Sequence, residues 1–255
     1  MSTSTSGSTF WGYEDGQVHR LKSGSNSGEP EIGPGNFQLA ELGGTGSDVV
    51  RENLAGGYNG CVTTGTTIPT QPGNSVGPVA QGLNTRFNQF SGPISPGDYP
   101  PDVIIEEQMP PGLEYGSTDP SHQDYDASCA TAITLGGTCV NDASDLDFDY
   151  DDYQSRIAAN SLDIPEAAGG AFDRRTMPVM VANCSAGGGG KQDLPLLGFG
   201  CFFLLQKTTQ NGQESEIFGE FAEDCATPGF SGPAPTVIPG PHIIQLYKDS
   251  DGVDS

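Results

Sequence analysis

Hydrophobic and polar positions change rhythm along this chain. In the last third the apolar residues come in short runs, Thr176 to Asn183, Leu197 to Lys207, Glu216 to Glu223 and His242 to Lys248, separated by Gly, Asn-Gly and Pro. Runs of that length bounded by turn residues predict strands, so this third is the expected sheet core. Asn211-Gly212 tolerates the positive φ of a type I′ turn and predicts an antiparallel hairpin between 197–207 and 216–223. Along the first of these strands Phe202 and Leu204 fall on one face and Cys201, Phe203 and Leu205 on the other. With both faces apolar, the strand is expected to be central and covered on both sides.

The helical period appears once clearly. Val76, Val79, Ala80, Leu83 and Phe87 stand at i, i+3, i+4, i+7 and i+11, which predicts a helix over 76–87 capped by Asn74 or Ser75 and able to cover the sheet. A shorter helix is expected over Asp48 to Ala55, capped by Ser47 and stopped by Gly56-Gly57. Weaker strand patterns lie at Gln17 to Leu21, Asp102 to Glu106 and Ala130 to Leu135. The expected organisation is a flexible arm over 1–9, one globular module over 10–248 with a sub-boundary near 91–160, and an acidic tail over 249–255.

Composition sharpens the fold class. Gly at 37 residues and Pro at 20, against 34% hydrophobic residues, disfavour long helices, because an interior Gly costs about 1 kcal/mol and Pro about 3 kcal/mol relative to Ala. The expectation is a mainly β fold with a few short helices, α+β being the neighbouring class, and long Gly/Pro-rich loops. The most apolar stretch, Leu194 to Leu205, falls short of the roughly 20 residues that cross a bilayer. Met1 to Thr9 has neither the basic nor the apolar region of a secretory signal.

Charge excludes some partners. Ten Lys+Arg against 33 Asp+Glu, a formal net charge of -23, repels phosphate backbones and anionic lipid. Nucleic-acid and membrane-surface roles are therefore not expected. The six cysteines, Cys61, Cys129, Cys139, Cys184, Cys201 and Cys225, form no C-x-x-C pair and no zinc spacing with histidine. An even, scattered count in an acidic, Gly/Ser/Thr-rich chain predicts three disulfides made in an oxidising compartment, with 15 connectivities open. Cys129 and Cys139, on either side of a Gly-Gly turn, make the best local pair; Cys201 with Cys225 depends on the register of the hairpin.

Candidate chemistry is sparse. His19, His122 and His242 are isolated from any triad partner, and Gly187 to Lys191 lacks the order of a phosphate loop because Gln192 follows the lysine. No catalytic or cofactor-binding residue is assigned. The patterned acidic run is different: if extended, Asp145, Asp147, Asp149 and Asp151 share one face while Leu146, Phe148 and Tyr150 share the other, a strip suited to calcium or magnesium. It is not an EF-hand, since Tyr150 stands where that loop needs Gly and Arg156 where it needs Glu. Asp249, Asp251 and Asp254 in the tail form a second acidic candidate.

Several phrases, in order, resemble the soluble extracytoplasmic region of TadG-like proteins of the tight-adherence (Flp) pilus system. They are Gly33 to Phe37 (GPGNF), Leu54 to Cys61 (LAGGYNGC), Thr70 to Asn74 (TQPGN), Gly82 to Phe87 (GLNTRF), Arg174 to Cys184, Phe199 to Leu205 (FGCFFLL), Glu220 to Cys225 (EFAEDC) and Ile244 to Lys248 (IQLYK). The resemblance implies an envelope protein tied to pilus assembly, with no site residues to carry over. The family's N-terminal membrane helix has no counterpart in this sequence, a departure that implies a released or repurposed module rather than an anchored part of the pilus machine.

The expected function is a non-enzymatic structural or assembly protein outside the cytoplasm, with protein partners of the envelope or pilus, or with other copies of itself. The alternative is a cation-dependent adhesin or an extracellular filament or matrix subunit, with calcium as the cation.

Overall fold

In the computed structural model, the described residues are 12–22, 36–58, 60–116, 129, 131–183, 190–209 and 215–223. They form nine strands and three short α-helices, a mainly antiparallel β fold of α+β character as expected from the Gly/Pro-rich composition. The strands are β1 (Val18–Lys22), β2 (Asn36–Ala40), β3 (Thr67–Pro72), β4 (Leu113–Tyr115), β5 (Ile133–Leu135), β6 (Thr138–Cys139), β7 (Thr176–Ala182), β8 (Asp193–Leu204) and β9 (Ile217–Phe221). The helices are α1 (Ser47–Gly56), α2 (Val76–Leu83) and α3 (Tyr150–Ala158).

The main sheet runs β1-β9-β8-β3-β2, with β7 also paired to β8. Phe202 pairs with Met177 of β7 and with Phe221 of β9, and Phe203 pairs with Thr176 and Glu220, so this part of β8 has a strand on each side. The central position and the antiparallel β8–β9 pairing expected from the hydrophobic pattern are thus present, whereas the Asn211-Gly212 turn lies outside the described residues. Burial explains why β8 changes rhythm. From Asp193 to Gly200 exposed and buried positions alternate; from Phe202 to Leu205 every residue is buried, because both faces are covered there.

Two cores lie on the two faces. Phe203, Leu205 and Val18 pack with Val103, Ile104, Phe148 and Tyr153 on one, and Leu204 and Ile217 pack with Val79, Leu83 and Phe87 on the other. The 76–87 segment therefore covers the sheet as its periodicity predicts, with a change of pitch. It is α-helical to Leu83 and 3-10 from Asn84 to Phe87, where the Thr85 hydroxyl donates to the Gly82 carbonyl and Asn84 bonds both ways to the Thr208 backbone. Gly82 sits against α1: a Cβ there would stand 2.3 Å from the Arg51 carbonyl oxygen, so only glycine allows the two helices this close.

Other elements depart from expectation. Gly46, not Ser47, is the N-cap of α1, and Gly57 at φ 86° ends the helix. The segment 102–106 is not a strand; Asp102 makes a single parallel bridge to Ala171, and side chains satisfy the neighbouring backbone. Among the described residues of the 130–135 run, Ile133–Leu135 is a strand; it joins β6 through Gly136-Gly137, both at positive φ, in a three-stranded sheet β4-β5-β6. The expected strand at 242–248, the arm 1–9 and the tail 249–255 lie outside the described residues. No helix among the described residues is long and apolar enough to cross a membrane.

Candidate functional site

The acidic run would present one strip only if extended, and the structure folds it otherwise. Ala143–Asp145 is a 3-10 turn, and Asp149 is the N-cap of α3. Each acid takes a different partner. The Asp145 carboxylate accepts from the Asn141 N–H at 2.8 Å and Asp147 from the Met109 N–H at 3.1 Å. Asp149 accepts from the Asp152 N–H at 2.8 Å and closes a capping box with the Asp152 side chain, while Asp151 lies in the first turn of α3. Local bonding explains the correction: Asp next to a helix start satisfies free N–H groups, which an isolated strand of like charges does not. Among the described residues no group of three or more His, Cys, Asp or Glu is placed to hold a metal ion, so the structure does not bring Asp145, Asp147, Asp149 and Asp151 together. Asp249, Asp251 and Asp254 lie outside the described residues.

The structure instead concentrates polar groups inside. Arg175, fully buried between the turn at 171–175 and β7, donates from Nε to the Leu204 carbonyl at 2.9 Å, from Nη1 to Glu106 O at 2.5 Å and from Nη2 to Leu205 O at 3.3 Å. Its guanidinium lies 4.3 Å from the Phe203 ring centroid and 4.6 Å from that of Phe87. Asp102 is also fully buried. Its carboxylate accepts from the N–H groups of Ile104 and Arg175, both at 2.9 Å, and from the Tyr153 hydroxyl at 3.1 Å. Tyr153 in turn accepts from the Asp173 N–H at 2.9 Å.

Two further buried arginines extend this hub. Arg86 reaches the carbonyls of Leu54 and Arg174, and Arg174 reaches those of Pro100 and Ala55. Together they tie α1, the 3-10 turn after α2, the 100–106 segment and β8 to one another. Burial sets the protonation. It pushes Asp102 up to about 6 against the pull of its N–H donors and Arg175, and it pushes Arg175 down to about 10. The Tyr153 hydroxyl is raised by burial and by Asp102, so it stays a neutral donor. The charged groups here are directed to main-chain carbonyls and N–H groups, which makes the hub a device for joining segments. The sequence reading missed it; the signal was the pair Arg174-Arg175 in a chain with only ten basic residues.

Elsewhere, Glu220 on β9 is buried and accepts from the Tyr150 N–H at 2.8 Å; burial and the nearby Asp149, Asp151 and Asp15 push it up to about 8. His19 sits in an aromatic cluster with Tyr13 and Phe202, and burial lowers it to about 4. A cleft of about 390 Å³ lies between α1 (Asp48, Arg51, Glu52) and Pro93, Ile94, Asp98 and Tyr99. Its three carboxylates suit a cationic group better than an anion, and Arg51 is paired with Asp48. His122, His242 and Gly187 to Gly189 lie outside the described residues, and Lys191 pairs with Glu41.

The cysteines divide. Cys129 and Cys139 are bridged around the Gly-Gly turn, as the spacing suggested, and Cys201 is also disulfide-bonded. The expectation that all six are oxidised fails at Cys61, which is exposed and free in the loop before β3. The other described cysteines are already bonded, so none is left for it. Cys184 and Cys225 lie outside the described residues.

Comparison with known proteins returns no matching family model, no matching curated protein and no matching solved structure.

Proposed function

We propose that this chain is a non-enzymatic structural or assembly module that works outside the cytoplasm, in the manner that its resemblance to the soluble region of TadG-like pilus proteins implies. The observation that carries the reading is the bonded state of Cys129, Cys139 and Cys201, because disulfides of this kind persist in oxidising compartments. The hub supports the structural part: Arg86, Arg174 and Arg175 direct their donors to carbonyls that hold segments together. A formal net charge of -23 fits a partner made of protein rather than nucleic acid or anionic lipid.

The deciding experiment is fractionation of the source cells after thiol alkylation in the intact cell. The expected result is recovery outside the cytoplasm, with Cys129 and Cys139 unalkylated until reduction, and cross-linking to envelope or pilus proteins in the same fraction. Recovery from the cytosol with every cysteine alkylated would overturn the proposal.

A further inference from the structure

Lys22 ends β1, and its side chain is fully buried. Its partners come from two other places in the fold. Nζ donates to Asn74 Oδ1 at 2.5 Å, in the connection between β3 and α2, and to the Oγ and the carbonyl oxygen of Ser215, just before β9, at 2.6 and 2.9 Å. The Ser215 hydroxyl, itself fully buried, also donates to Asn74 Oδ1 at 3.2 Å. The pairing of Lys22 with Ile217 fixes this meeting, since it sets the end of β1 against the start of β9. An amine, a carboxamide and a hydroxyl are thereby held together across 52 and 193 positions.

Distance and protonation suit a reaction between the amine and the carboxamide. A carbonyl bond is about 1.23 Å long, so Nζ lies no more than about 3.7 Å from Asn74 Cγ, close to the roughly 3–3.5 Å of a near-attack contact. An amine attacks only when neutral. Burial lowers Lys22 to about 8; Arg20 adds to this effect and Glu216, paired with Arg20, opposes it. About a tenth of the amine is then unprotonated at pH 7, far more than for a lysine in water. Burial also keeps water from competing for the carboxamide carbon.

We infer that Lys22 and Asn74 join in an intramolecular isopeptide bond, a covalent cross-link between β1 and the β3–α2 connection. From the neutral amine, the Nζ–Cγ bond forms and negative charge gathers on Oδ1, where the Ser215 hydroxyl donates to it. The Cγ–Nδ2 bond then breaks. One of the two amine protons passes to Nδ2, which leaves as ammonia, and the other stays on the new amide. No electron changes hands and no co-reactant is consumed. Unlike the Cys129–Cys139 bridge, this link survives reduction, and it secures the strand at one end of the main sheet.

Peptide mapping tests it. Trypsin cuts the unlinked chain after Lys22 and releases 23–51 and 52–86 separately, whereas an amide on Nζ blocks that cut. The purified full chain, reduced and digested, is expected to give 21–51 joined to 52–86, lighter than the two together by one ammonia, with fragmentation placing the link at Lys22 and Asn74. Recovery of 23–51 and 52–86 unjoined would leave Lys22 a hydrogen-bonded cation and overturn the inference. Loss of ammonia from 52–86 without a link, the mark of a cyclised Asn74, would overturn it as well. Lys22→Arg and Asn74→Ala are each expected to abolish the joined species, and its persistence in either would place the link elsewhere and refute the assignment. Ser215→Ala, followed over time after refolding, is expected to slow the appearance of the joined species by at least about tenfold. An unchanged rate would overturn the part given to Ser215. If a variant does not fold, the map of the unaltered chain decides alone.

Discussion

Arg175 shows what a single residue contributes here. Its planar fork reaches four carbonyls on two separate segments while its faces lie against Phe87 and Phe203. Removing it leaves those buried acceptors without donors and Asp102 without its nearest compensating charge. Arg175→Met is therefore expected to lower stability by about 3–5 kcal/mol in chemical denaturation, and Arg175→Lys to recover little, because one ammonium cannot match the fork. Glu220 works through protonation. Its folded pKa, near 8, is raised above the usual 4.5, so the folded state holds the proton more tightly. Its stabilising contribution is complete below pH 4.5 and falls as pH rises through 8, at up to about 1.4 kcal/mol per pH unit between. Glu220→Gln keeps an acceptor for the Tyr150 N–H and removes the titration. The variant is expected to match or exceed the parent above pH 7 and to show a flatter dependence between pH 5 and 8, read from denaturation midpoints. An unchanged slope would assign that dependence to Asp102 or another group.

At the scale of elements, the acidic run is the instructive case. Strict alternation from Asp145 to Asp151 reads as a strand, yet the chain there makes a 3-10 turn and a helix start. Period alone cannot tell a strand from a series of caps, because Asp also bonds backbone N–H groups a few residues away. Asp149→Ala is expected to cost about 1 kcal/mol and to increase hydrogen exchange in the first turn of α3, while Asp151→Ala, which has no capping role, changes it little. The 76–87 helix was legible because its apolar face is long and regular. Its close approach to α1 was not, since the reason for Gly82 is the Arg51 carbonyl on another element. Gly82→Ala is expected to destabilise by about 1–3 kcal/mol, against the usual gain for Ala in a helix, with thermal melting as the measure.

Over the whole molecule, the separated carboxylates decide what calcium does. Asp145, Asp147, Asp149 and Asp151 each bond a different backbone N–H or lie exposed on α3, so Asp147→Asn with Asp149→Asn is expected to leave the response of the melting temperature to millimolar calcium as it is in the parent. A rise that survives Asp147→Asn with Asp149→Asn would place an ion among residues other than these. By itself the sequence determined the β-rich class, the strands β7, β8 and β9, the central place of β8 and the covering helix. Those features follow from hydrophobic period and turn chemistry, which act between near neighbours. The tertiary structure alone decided the arginine hub, the fate of the acidic run and the free state of Cys61. Asp102 meets Tyr153 across 51 positions, Arg86 meets Arg174 across 88 and Glu220 meets Tyr150 across 70. Whether a buried charge finds a partner depends on where distant segments cross, and no local pattern encodes that.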